Sequence, residues 1–190
     1  MMSLRSLVVL TLLMPLSAYA ETPEQAAALK AQEAMKEFGM TLKATLQAAM
    51  KAGGPMNAIP VCHTEAPKIA QQMSAKHGVD IHRTSLKPRA TAPTEWEMAV
   101  LEGFEQQKAD GKPVGELVWK DVVEVDGQPT LRMMKAIGTE EVCLTCHGAA
   151  VKPDVMAKIA ELYPDDKAMG FNAGDIRGAF SVSVPLVAAQ

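Results

Sequence analysis

Five consecutive residues, Cys143-Leu144-Thr145-Cys146-His147, constrain this chain more than any other stretch. The C-x-x-C-H spacing suits the attachment of a c-type haem. Two thiols three positions apart can each add across one vinyl group of a single haem. The histidine that follows the second thiol is then held beneath the iron. Two other chemistries use a C-x-x-C pair: a redox dithiol and half of a zinc site. The zinc site needs two further Cys or His ligands, and the dithiol follows a strand in a βαβ unit.

The N-terminus supplies a compartment for haem attachment. Arg5 is a basic start, Leu7 to Leu16 an apolar run, and Ala18-Tyr19-Ala20 a cleavage site of A-x-A type. Residues 1–20 therefore read as a signal peptide, with the mature chain starting at Glu21 and exported to a bacterial periplasm. An uncleaved anchor is the alternative. After cleavage no stretch is long and apolar enough to span a bilayer. The full chain has a net charge of −3, and losing Arg5 makes it more negative, so nothing favours nucleic acid. Of the three cysteines, the motif uses two and leaves Cys62 alone in an oxidising compartment. Thirteen methionines mostly imply flexible core filling, but they also supply candidate iron ligands.

Local signals outline the elements. Thr22-Pro23-Glu24-Gln25 is a capping box with proline in the first helical turn. The helix runs to about Lys51, before Gly53-Gly54-Pro55. Ala28, Ala31, Met35, Phe38, Leu42, Leu46 and Ala49 form its apolar stripe. At ~1.5 Å per residue it reaches ~43 Å, long enough for part of the stripe to pack on a second copy or a partner. An ordinary core-facing helix is the other reading. Met56 to His77 predicts a second helical stretch, with Pro60 in a first turn and Pro67 marking a kink or a fresh start capped by Thr64. Val79 to Ser85 reads as a strand. Thr94-Glu95-Trp96-Glu97 opens a helix that ends near Asp110-Gly111. Glu116 to Val125 and Gln128 to Ile137 form a hairpin through Asp126-Gly127. Pro153 to Tyr163 reads as a short helix. The last strand alternates Phe180, Val182, Val184 and Leu186 against Ala179, Ser181 and Ser183. This order predicts an α+β domain, an antiparallel sheet with helices packed on one side.

With these pieces in place, the chain from Ala26 to Leu186 resembles a family of exported mono-haem c domains, the c-type haem family proteins. The resemblance rests on Ile59-Pro60-Val61-Cys62-His63, on Ser85 to Arg89 leading into Ala92 to Glu97, on Cys143 to Gly148, and on Gly174 to Val182. It departs at Arg89-Ala90-Thr91, where the family carries an Arg-Asn-Pro-type run. The resemblance implies a PAS-like antiparallel sheet flanked by long N-terminal helices. Together with the signal-peptide and capping signals, it divides the chain into residues 1–20 (signal peptide), 21–54 (long helix) and 55–190 (haem c-binding domain). It also implies one covalent haem c, with His147 and Cys62 as axial ligands. Such domains occur alone and as input modules of sensor kinases and chemoreceptors.

From the residues alone, the sixth ligand could be Cys62, His63, His77, His82, a methionine or none. Cys62 stands out because an exported free thiol needs an occupation. Ile59 stands where a second attachment motif would need its first cysteine, which argues against a second haem. Haem propionates need cationic partners. Arg83, Lys87, Arg89 and Arg177 are the candidates, and Trp96, Trp119, Met133 and Phe180 are candidate walls. Two functions follow: a sensing module for redox state or a diatomic gas, read by a separate signalling protein, or a soluble electron carrier with a redox partner. An enzyme is not expected, since no catalytic set is visible. A homodimer through the N-terminal helix is a further expectation.

Overall fold

Four strands, β1 (Asp80–Thr84), β2 (Val118–Val125), β3 (Gln128–Gly138) and β4 (Ile176–Pro185), pair in one antiparallel sheet in the order β1-β4-β3-β2. The structure is a computed structural model that describes residues 21–186, so the predicted signal peptide lies outside the described residues. β2 and β3 are the expected hairpin. Val125 pairs with Gln128, and Asp126 and Gly127 both take positive φ, at 51° and 76°. That geometry matches the right-handed twist of the flanking strands. β4 returns last and inserts between β3 and β1, which pairs Met133 with Val182 and Ile81 with Val182 across its two edges. The chain is α+β, as expected.

Four helices complete the described residues: α1 (Pro23–His77), α2 (Glu95–Ala109), α3 (Leu144–His147) and α4 (Pro153–Leu162). α1 has two arms. Gly53 (φ −165°) and Gly54 (φ 64°) leave helical geometry between them, where Gly-Gly-Pro predicts the stop. The arms then fold back on each other. Glu37 of the first arm meets Lys76 and His77 near the end of the second, with His77 Nε2 2.7 Å from Glu37 Oε2. At the turn, Asn57 Nδ2 donates to the Ala49 carbonyl at 3.0 Å.

Two expectations for the second arm need correction. Pro60 and Pro67 both lie inside continuous helix, and Thr64 starts nothing. Its hydroxyl donates to the Pro60 carbonyl at 3.2 Å instead. Each proline forfeits one backbone hydrogen bond, but burial of Ala58, Ile59, Ile69 and Met73 along the same arm outweighs that loss.

Both arms join the sheet in one core. Ala27, Ala28, Ala31, Ala34, Met35 and Phe38 pack with Ile69 and Met73 onto Ile81, Leu131, Met133, Val182 and Val184. The first half of the apolar stripe is therefore occupied within the chain. Fully burying a side chain such as Phe38 stabilises by roughly 2–3 kcal/mol. The opposite sheet face is covered too. Leu101 and Phe104 of α2 pack with Leu117, Met134, Ala136, Ile176 and Ala179. The one-sided arrangement expected from the pattern is thus corrected to helices on both faces. Capping starts α2 as the sequence predicts, the Thr94 amide donating to Glu97 Oε2 at 2.9 Å.

Candidate cofactor site

The motif sits where the chain leaves the sheet. A register irregularity between Ile137 and Gly138 ends β3. The Thr139 amide then donates to the Asp175 carbonyl at 2.8 Å, and the Gly174 amide to the Thr139 carbonyl at 2.9 Å. These bonds fix the exit from β3 against the approach to β4. A 3-10 turn over Glu141–Cys143 leads straight into α3. Cys143 and Cys146 fall three apart on this turn, which brings their side chains to one face, and both are half-buried.

His147 is held from behind. Its Nδ1 lies 2.7 Å from the Ala168 carbonyl oxygen. A carbonyl only accepts, so Nδ1 carries the proton and Nε2 keeps its lone pair. Burial, with help from the Arg177 and Arg89 charges, pushes the imidazole pKa down to about 2. His147 is accordingly neutral at physiological pH, the form that binds iron. The Phe171 amide donates to the His147 carbonyl at 3.0 Å, and the Phe171 ring stands edge-on to the imidazole at 6.3 Å.

The four predicted cations fall into two groups. Arg89 is engaged within the chain: Nε and Nη2 each contact an Asp166 carboxylate oxygen at 3.0 Å, and Nη2 also donates to the Cys146 carbonyl at 2.9 Å. Arg177 and Lys87 lie over the Phe171 ring, at 5.2 and 4.9 Å, and Arg83 over Phe38 at 5.8 Å. Burial, then repulsion from Arg89 and Arg83, lowers the Arg177 guanidinium to about 10. Three guanidiniums thus act on one another, with Asp166 partnering Arg89.

Cys62 comes to the same place from α1. One turn before it, Ile59 packs against Val155 and Ile159 of α4, in a cluster that Cys146, Tyr163 and Met169 border. Burial raises the Cys62 thiol pKa, opposed by Arg83 and Arg89. Burial also raises that of Cys146, and the Cys62 charge adds to the effect. Of the other ligand candidates, His63 stands edge-on to Tyr163 at 4.9 Å. His77 and His82 are engaged by carboxylates, at 2.7 Å from Glu37 and 2.8 Å from Glu97. Met169 is the methionine of the cluster around Cys146. Trp96 and Trp119 pack on each other beside α2, and Met133 lies in the α1 core. Met133 is a core residue, whereas Trp96 and Trp119 border the α2 core and Phe180 lies 5.6 Å from Phe38 at the edge of the α1 core.

The rival readings of the motif fit poorly. Among the described residues no three His, Cys, Asp or Glu side chains converge as a protein-only metal site would need. A redox dithiol works through a lowered thiol pKa, and that of Cys146 is raised. The sheet, moreover, is antiparallel throughout. By contrast, two thiols on one turn, a neutral histidine with a free Nε2 and an excess of guanidinium charge together suit a dianionic haem.

Sequence reasoning missed Tyr163, Asp166, Ala168 and Phe171. All lie in α4's end and the polar loop after it, where no periodicity marks them.

The Tll0287-like family model matches residues 17–185. No curated protein matches the chain. Among solved structures, the chain is similar to the crystal structure of the cyanobacterial heme-protein Tll0287, at 23% identity and a TM-score of 0.60. The match covers 90% of this chain and 100% of that one. This likeness supports the fold described above, and the family match covers the whole sheet, α1 and the motif. The chain belongs to the Tll0287-like family.

Proposed function

We propose that this chain is a periplasmic haem protein that carries one haem c, attached through Cys143 and Cys146, with His147 and Cys62 as axial ligands. Its role in this reading is a sensing module for redox state or a diatomic gas. The observation that carries the proposal is that Ile59, one turn before Cys62 on α1, packs with Cys146 in the cluster around α4, near enough for the Cys62 charge to act on Cys146. The name of the solved relative, a heme-protein, supports the cofactor.

When bound, haem supplies a one-electron ferric–ferrous couple and, wherever an axial ligand leaves, a position for carbon monoxide or nitric oxide. His147 binds through Nε2 while Ala168 holds Nδ1. Cys62, whose burial favours the neutral thiol, would release its proton to solvent only if its sulfur bound a strong Lewis acid such as ferric iron. Reduction would weaken that binding, so the hold on the second arm of α1 would depend on oxidation state. That arm is joined to the first through Glu37, Lys76 and His77, which provides a route from the site to the hairpin. Arg83, Arg177 and Lys87 serve as propionate partners. The reading is of a binding module, its site gathering cations, thiols and one histidine.

A second reading, a soluble electron carrier, is favoured by Met169 bordering the same cluster as Cys146. The deciding experiment uses protein made in a host that matures c-type cytochromes. Mass measurement under denaturing conditions should show one covalent haem in wild type and none in C143S/C146S. C62A should change the ferric absorption spectrum. An unchanged low-spin spectrum in C62A, with loss of that spectrum in M169L, overturns thiolate ligation in favour of the carrier.

A further inference from the structure

We infer that Asp166 and Arg89 act as one positioning pair that sets how firmly His147 is held toward the iron. This rests on the haem reading above and reassigns Arg89, which the sequence presents as a propionate partner. The geometry argues for the reassignment. Two of the Arg89 nitrogens already make three bonds, two to Asp166 and one to the carbonyl of Cys146, the residue before the ligand.

Asp166 works in the other direction as well. Its Oδ1 accepts the Ala168 amide at 3.0 Å, and the Ala168 carbonyl accepts His147 Nδ1 at 2.7 Å. The Lys167 amide adds a bond to the Pro88 carbonyl at 2.9 Å, beside Arg89. A closed circuit results: from the Cys146 carbonyl through Arg89 and Asp166 to Ala168, and from there back to His147. The pair is well shielded, with the Asp166 side chain 5% exposed and that of Arg89 13%. A buried ion pair is poor evidence of added stability, because desolvation offsets the attraction. Its use here is geometric. It fixes the height of the Ala168 carbonyl against the imidazole, and a firmly held Nδ1 proton makes Nε2 a stronger donor to ferric iron.

Charge and position predict different signs, which makes the inference testable. Ferric iron carries one more positive charge than ferrous. By charge alone, removing Asp166 raises the haem potential, removing Arg89 lowers it, and R89K leaves it unmoved. By position, every variant that opens the circuit weakens imidazole donation and raises the potential. Lysine keeps the charge but lacks the planar fork, so R89K cannot hold Asp166 at two points and also reach the Cys146 carbonyl.

The experiment is redox titration of haem-loaded wild type, D166N, R89Q and R89K, with haem content and thermal midpoint measured alongside. The expected result is a higher potential in all three variants. In R89K the ferric-to-ferrous ratio at fixed applied potential should fall on the order of tenfold. A wild-type potential in R89K, or a lowered one in R89Q, overturns the inference. So does a fall in thermal midpoint with no change in potential, since that marks a purely structural pair. If R89Q does not accumulate, R89K and D166N still decide. Absence of covalent haem from wild type overturns the haem reading together with this one, whereas normal haem with unmoved potentials overturns this one alone.

Discussion

His82 Nε2 lies 2.8 Å from Glu97 Oε1 and so ties β1 to the first turn of α2, across the segment that carries Arg89. Glu97 is only 1% exposed. Burial by itself would raise its pKa, but hydrogen bonds from His82, Ser181 and the Thr94 backbone outweigh that and hold it at about 2. The same contact raises His82 above 6.5, with burial opposing and the Glu97 and Asp80 charges assisting. A raised histidine contributes stability that is complete below its unfolded value and lost as pH rises through its folded one. A depressed carboxylate contributes above its unfolded value of 4.5 and loses this as pH falls through about 2. The pair is therefore strongest between about 4.5 and 6.5. Urea unfolding of wild type and H82Q should differ by about 1–3 kcal/mol in that window. The gap should close at higher pH, and a gap independent of pH from 5 to 9 would count against the ion pair. His147, held neutral with a pKa of about 2, acts with the opposite sign and lowers stability below pH 6.5 in both proteins.

Ser181 illustrates where sequence legibility stops. The alternation along β4 identifies its two faces correctly, and nothing in it marks the Ala179, Ser181 and Ser183 face as covered. Ser181 is nonetheless buried, because it bonds to Glu97 beneath α2. A polar residue satisfied by a buried partner looks the same in sequence as one satisfied by water. That is why the second covered face went unseen. Features governed by local chemistry were legible: the Thr22 and Thr94 capping boxes, the Asp126-Gly127 turn, the Gly53-Gly54 break and the placement of the motif. Pro60 and Pro67 were misread because their local cost is met by tertiary burial of Ile59 and Ile69. At the site, cysteine arithmetic singles out Cys62, whose charge acts on Cys146. Asp166 was not legible, since its partner Arg89 lies 77 residues away and a buried ion pair leaves no period in the sequence.

Gly178 leaves less room for a Cβ than any other glycine of the described residues. Its φ is 154°, and a Cβ there would stand 2.3 Å from the Thr84 carbonyl oxygen and 3.1 Å from the Ser85 Cβ. Both belong to the end of β1 and the turn after it, and Ser85 Oγ in turn donates to the Arg177 carbonyl at 2.9 Å. The G178A variant must push β1 away from β4 or twist the strand. The expected loss is about 2–4 kcal/mol in urea unfolding. G103A is the control: that glycine lies inside α2 with nothing near its Cβ position. It should gain roughly 0.5–1 kcal/mol from helix propensity. Equal effects at the two positions would refute the steric argument.

Arg177 should change the sign of its contribution with the cofactor. Within the chain it is buried and, after that, faces like charge from Arg89 and Arg83, as its lowered pKa of about 10 records. Asp166 attracts it but is already committed to Arg89. In C143S/C146S protein, which lacks covalent haem in the proposed reading, R177Q relieves repulsion and should leave the urea midpoint unchanged or raise it. In haem-loaded protein the same substitution deprives a propionate of a buried cation. There the midpoint should fall by an amount equivalent to about 1.5–3 kcal/mol, the range for a hydrogen bond to a charged group. R83Q should follow the same pattern. R89Q should not, because Arg89 serves Asp166 and Cys146 whether or not haem is attached. The double comparison separates the arginines that wait for an anion from the one that already has its own. A destabilising R177Q of equal size in both backgrounds would mean that Arg177 is an ordinary packing residue, supported through the Phe171 ring.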